Sequence, residues 1–183
     1  MKNIIKLSLL MLSGVFYSQV AIGKAAVSNN QVSLEFGDAN KGMVLPWVTS
    51  KDAVTGAVEG TMIYDSYDKK VKFKGETDWV DLSVNTTGTT IDPLTNADGL
   101  SLQGPSVAEK LDAKVSIGTL TTITASTPGI LVLEDKNKAM VLPKVASPHL
   151  NIINPAPGMM VYDTTKNLFC VYNGKDWAFW KAE

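Results

Sequence analysis

The chain has 183 residues with 17 basic and 18 acidic side chains, for a formal net charge of −1. Every basic residue is lysine, and there is one histidine, His149, and one cysteine, Cys170. These counts exclude an intrachain disulfide framework, a Cys-ligated zinc site and a multi-histidine metal site; with no arginine and a near-neutral balance, the chain also lacks the electrostatic footprint of nucleic-acid binding.

The chain opens on Lys2 and Lys6 and a short apolar core, Leu7 to Phe16. Ten helical residues rise about 15 Å, half of the roughly 30 Å a bilayer core demands. Residues 1–23 therefore read as an export signal, with cleavage after Ser18, Gly23 or Ala25. No later stretch is long and apolar enough to span a membrane, so no transmembrane segment is expected after cleavage. The expected destination is the periplasm, the outer surface or the medium.

From residue 31 onward the organising feature is a repeat. Residues 34–48 read LEFGDANKGMVLPWV and residues 131–145 read LVLEDKNKAMVLPKV, matching at Leu34/Leu131, Asp38/Asp135, Asn40/Asn137, Lys41/Lys138, Met43/Met140, Val44/Val141, Leu45/Leu142, Pro46/Pro143 and Val48/Val145. A second block follows each copy one residue out of step. There Gly60/Gly158, Met62/Met160, Tyr64/Tyr162, Asp65/Asp163, Asp78/Asp176 and Trp79/Trp177 coincide.

Each copy has the same local grammar. Val32 to Phe36 alternates apolar and polar residues and reads as a half-buried strand. Asp38 to Gly42 is turn chemistry. Met43 to Leu45 is a short strand stopped by Pro46. Residues 49–59 are loop-like, with room for one helical turn. Thr61 to Tyr64, Val71 to Phe73 and Trp79 to Leu82 are strands separated by turns, and the second copy repeats them. The expected fold class is mainly β: two homologous antiparallel β-meander modules, 31–82 and 129–183, joined by a Ser/Thr-rich segment, 83–128. Within that segment Ser106 and Glu109 have capping-box spacing, and Val107, Leu111 and Val115 predict a short helix over 107–114. Leu120 to Thr124 reads as a further strand. A module of about 50 residues buries too little surface to stand alone and should pack on its sister, the connecting segment or another chain.

The elements NKGMVLP, then Gly-x-Met-x-Tyr-Asp, a hairpin and Trp resemble repeat modules of exported Bacteroidota proteins and phage tail-fibre proteins. Gly158, Tyr162, Asp163, Thr164, Tyr172, Asn173, Gly174 and Trp177 carry the resemblance in the second copy. The first copy departs from it at Glu59 and Lys74, and Trp47 and Lys144 stand where those modules usually have arginine. The resemblance implies a surface-exposed, non-enzymatic, fibre- or adhesin-like component, often trimeric, with no known ligand.

The candidate residues divide accordingly. Pro46, Tyr64, Trp79, Pro143, Tyr162 and Trp177 recur and read as structural anchors of the repeat. Trp47, Lys144, His149, Phe179 and Trp180 differ between copies and read as candidate partner contacts. Asp65 and Asp163 sit beside turns, where a carboxylate binds backbone N–H groups. No catalytic, metal or cofactor residue is expected, since the repeat duplicates no reactive chemistry. The expected function is a structural or interaction protein presenting loops and aromatics to a protein or a surface glycan, with self-association into a trimer implied by the resemblance alone. The alternative is a carbohydrate-binding module working beside a secreted hydrolase.

Overall fold

A computed structural model describes residues 19–83, 86–91, 98, 114–118 and 129–181. The fold is mainly β. Module 1 contains β1 (Val20–Ile22), β2 (Val32–Phe36), β3 (Met43–Val44), β4 (Trp47–Val48), a 3-10 turn at Lys51–Ala53, β5 (Met62–Asp65), β6 (Lys70–Lys74) and β7 (Trp79–Asp81). Module 2 contains β8 (Val115–Ile117), β9 (Leu131–Leu133), β10 (Ala139–Val141), β11 (Lys144–Val145), a single helical turn α1 (Pro148–Asn151), β12 (Met159–Asp163), β13 (Leu168–Tyr172) and β14 (Trp177–Trp180). The helix predicted over 107–114 and the strand predicted over 120–124 lie outside the described residues, except that Lys114 is described and is not helical.

The meanders form as their spacing predicts. β5, β6 and β7 are antiparallel neighbours, as are β12, β13 and β14. The tight turns between the first two strands place Lys69 and Asn167, equivalent positions, in the left-handed region at φ 59° and 56°. Asparagine tolerates that conformation better than lysine does. The strand after each proline adds in parallel: β4 lies on β5 and β11 on β12.

The repeat also extends further upstream than residue 31. β1 runs parallel to β2, Val20 opposite Leu34 and Ile22 opposite Phe36. β8 runs parallel to β9 in the same register, Val115 opposite Leu131 and Ile117 opposite Leu133. The Gly37 N–H donates to Ile22 C=O and the equivalent Glu134 N–H to Ile117 C=O. Val20-Ala21-Ile22-Gly23 and Val115-Ser116-Ile117-Gly118 are thus one more duplicated element. β1 lies inside the span read as leader, and β8 inside the span read as connector.

β2 is buried on both faces, not one. Val32, Ser33, Leu34 and Glu35 are all under 5 % exposed, because β2 is the middle of a parallel sheet between β1 and β10. Its one charged side chain, Glu35, is matched by the Lys24 ammonium at 2.7 Å and by the Ser28 N–H and hydroxyl, each at 2.6 Å. Those partners hold its carboxyl down at about 2.

The modules interlock. β10 of module 2 completes the β1–β2 sheet of module 1. In exchange, β3 of module 1 pairs with β12 at Met159 and Met160, sharing that strand's outer edge with β11. The largest apolar core spans both modules: Leu45, Tyr64, Val71 and Leu82 from one, Met160, Val171 and Ala178 from the other. Each of the Leu, Val and Met side chains contributes roughly 1.5–3 kcal/mol by leaving water. A second core belongs to module 2 alone, where Val145, Ile152, Met159, Val161 and Cys170 pack together.

Candidate functional site

Three places bring together the residues singled out from the sequence: the loop after each proline, the outer face of each meander, and the contact between modules. Asp65 and Asp163 organise the first. Asp65 accepts from the Lys51 N–H at 2.9 Å and from Tyr67 N–H at 3.0 Å. Asp163 accepts from Ser147 N–H at 3.1 Å and from Thr165 N–H at 2.8 Å. Each carboxylate therefore ties the start of the long loop to its own turn, as the sequence suggested for acids beside turns. Burial pushes the Asp163 carboxyl up, but the backbone donors of Thr165, Ser147 and Lys166 outweigh it and hold it below the ordinary range.

The outer faces differ chemically. In module 1 the row Ile63, Lys72, Asp81 carries a buried lysine. The Lys72 ammonium bonds Asp68 and lies 3.4 Å from Asp65 and 3.5 Å from Asp81. Burial alone would lower its pKa, but the three acids raise it. The equivalent row in module 2 is Val161, Cys170, Phe179. Cys170 is fully buried and its thiol is pushed up to about 11 by burial and by Asp163. It is a small apolar filler, not a nucleophile. Without a lysine opposite, Asp163 Oδ2 has no hydrogen-bond partner among the described residues.

The contact between modules is built on the anchors. Tyr64 is fully buried and its hydroxyl donates toward the C=O groups of Asn173 and Thr89, 2.9 Å from each. Burial and nearby acids push its pKa far above the usual tyrosine value. Trp47 packs against Tyr64 with the rings tilted at 45° and their centroids 5.3 Å apart, and its indole N–H donates to Pro157 C=O at 2.8 Å. Trp180 donates its indole N–H to Leu82 C=O at 2.7 Å. Residues 86–89 cross the seam: Asn173 Nδ2 donates to Thr86 C=O and Gly88 N–H to Lys69 C=O. Pro46 and Pro143 present equivalent carbonyls to the Tyr64 and Tyr162 N–H groups, both at 2.9 Å.

Apart from Trp180, which reaches the contact through its indole N–H, the remaining candidates lie outside it. Trp177 packs on Tyr172 and on the second core, while Trp79 is half-buried opposite Lys74. Lys144 and His149 are exposed, and the His149 ring meets Phe179 edge-on at 5.7 Å. Phe179 and Trp180 point to opposite faces and are 42 % and 38 % exposed. Leu150 and Ile153, beside His149, are 73 % and 85 % exposed, and neither is among the candidates. Trp47, a candidate partner contact, is thus engaged within the chain. A sugar platform would need free indole faces, and Tyr64 covers part of the Trp47 ring. Among the described residues no cluster of His, Cys, Asp or Glu could hold a metal ion, and no helix is long and apolar enough to cross a membrane. Among the described residues a shallow hollow is lined by Asp38, Asn40, Lys144 and Thr164, among others.

Residues 116–182 match the family described as phage tail like trimerisation region. The match covers less than half of the chain, starts within β8 and takes in all of β9 to β14. It supports a tail-fibre-like module and self-association. Searches of curated proteins and of solved structures return no match.

Proposed function

We propose that this protein is an exported, non-enzymatic, trimeric fibre- or adhesin-like component. Its β modules hold the loops 49–59 and 146–157 and the outward aromatics toward a protein or surface-glycan partner. The observation that carries this reading is the match of residues 116–182 to a trimerisation region. Two features of the chain support it: the modules interlock through backbone pairing, and the duplication reproduces anchors and turns but neither of the scarce reactive residues, His149 and Cys170. Export rests on Lys2, Lys6 and the apolar run that follows. Because β1 is part of the duplicated unit, we place the leader's end after Ser18, which leaves Val20–Ile22 in the mature chain. Sedimentation equilibrium tests the assembly: the expected mass is three times that of the chain, and a single-chain mass at every concentration overturns the reading.

A further inference from the structure

The two modules do not meet through equivalent surfaces. On the face that builds the shared core, each meander carries two cross-strand rows. Module 1 has Met62, Phe73, Val80 and, one step along, Tyr64, Val71, Leu82. Module 2 has the counterparts Met160, Val171, Ala178 and Tyr162, Phe169, Trp180. Module 1 buries its tyrosine row and module 2 buries its methionine row. The strand exchanges have the same sense, with β2 and β3 of module 1 reaching β10 and β12 of module 2. This is a head-to-tail contact, and such a contact leaves a complementary pair of surfaces unused. The inner members of the other two rows, Met62, Phe73 and Phe169, still lean on the shared core, but the outer ends are open: Val80 is 42 % exposed, and Trp180, whose indole N–H is held by Leu82 C=O, keeps 38 % of its surface exposed. Gly158 and its counterpart Gly60 share a left-handed φ, at +79° and +81°. A Cβ at Gly158 would strike the Tyr64 side chain at 2.9 Å, whereas at Gly60 it would meet nothing within 4 Å.

We propose that the same contact recurs between chains: module 2 of one copy takes the part of module 1 and docks on module 1 of a second copy. This deepens the trimer reading and rests on it. Equivalence assigns the pairs. The Tyr64 hydroxyl on Asn173 C=O becomes the Tyr162 hydroxyl on Gly75 C=O of the next chain. The Leu45 N–H to Gly158 C=O bond, 3.0 Å within the chain, becomes Leu142 N–H to Gly60 C=O. β10 then runs along β5 as β3 runs along β12, and β9 along β3 as β2 runs along β10. That last pairing covers β9, whose Leu131 is 44 % exposed, and extends a two-stranded β8–β9 sheet too small to stand alone. Charge complementarity supports the assignment. The positions of Trp47 and Pro157, which touch within the chain, are held in the other copies of the motif by Lys144 and Glu59. Both are exposed here, and they are of opposite charge. An indole-to-carbonyl hydrogen bond used once inside the chain thereby gives way to an ion pair between chains.

Charge reversal tests the pair. Lys144→Glu and Glu59→Lys are made singly and together in the full chain, with circular dichroism confirming that each variant folds. Each single reversal is expected to weaken self-association by at least about tenfold on dilution, and the double variant to restore it. Loss in the double variant as well as the singles overturns the pairing. A trimer equally stable in all three variants overturns the proposed contact while leaving the trimer reading intact. A wild-type chain that is monomeric at every concentration overturns both.

Discussion

Asp65 and Asp163 hold the same loop in chemically different surroundings. The backbone donors are retained in both copies, whereas the buried cation is not: Lys72 faces three acids, and Cys170 stands in its place next to Val161. Lys72 is 4 % exposed, so Lys72→Met would take the buried cation from Asp65 and Asp68, while Asp81 keeps Lys70 at 2.8 Å, and a loss of about 3–5 kcal/mol is expected in urea unfolding. A loss under about 1 kcal/mol would show that the network is solvated and not structural. Acid should act through Glu35, Asp81 and Asp163, all held below their ordinary values: Glu35 by Lys24 and Ser28, Asp81 and Asp163 by partners that outweigh their burial. A carboxyl lowered in the folded state stabilises fully above its unfolded pKa and loses that contribution as pH falls through the folded one. Stability should therefore be flat near neutrality and fall below about pH 4.5, with the Glu35 share declining progressively and fully lost only below about pH 2. Unfolding midpoints measured from pH 7 to 2 check this; a midpoint rising on acidification would contradict it.

At the scale of elements, the meanders were legible because period-two alternation and turn residues are local signals. Tyr64 to Asp65, the hairpin and Trp79 could be placed from sequence alone, and so could their second copies. The parallel pairings were not legible, since β2 joins partners from residues 20–22 and 139–141 that no local pattern connects. Its alternation read as half-buried because the buried Glu35 looks like a solvent position until Lys24 and Ser28 are seen around it. The Val-x-Ile-Gly pair at 20–23 and 115–118 was the available signal for the longer repeat; it is only four residues, and its first copy abuts an apolar leader that masks it. Trp47 read as a free contact because it does not recur, yet it fails to recur because it serves the one contact made within the chain. One consequence is measurable at this scale. If β1 belongs to the mature module, N-terminal sequencing of the exported protein should begin at Gln19. A start at Lys24 or later would remove β1 and contradict its place in the fold.

At the scale of the molecule, two copies of one unit are joined by a contact that neither copy could make with itself symmetrically. That asymmetry explains why the anchors are conserved between the copies while Trp47/Lys144 and Pro157/Glu59 differ: one member of each pair faces the sister module, and the other faces the open end. It also gives the exposed apolar residues at 80, 131 and 180 a common destination. Disulfide trapping reads this out directly. Glu59→Cys and Lys144→Cys are introduced together in one chain, where Cys170 is buried and will not compete, and the protein is oxidised gently. Covalent trimers on a non-reducing gel, with each single variant remaining uncross-linked, are the expected result. Double-variant chains that stay separate, or Lys144→Cys chains that dimerise on their own, would contradict the head-to-tail contact.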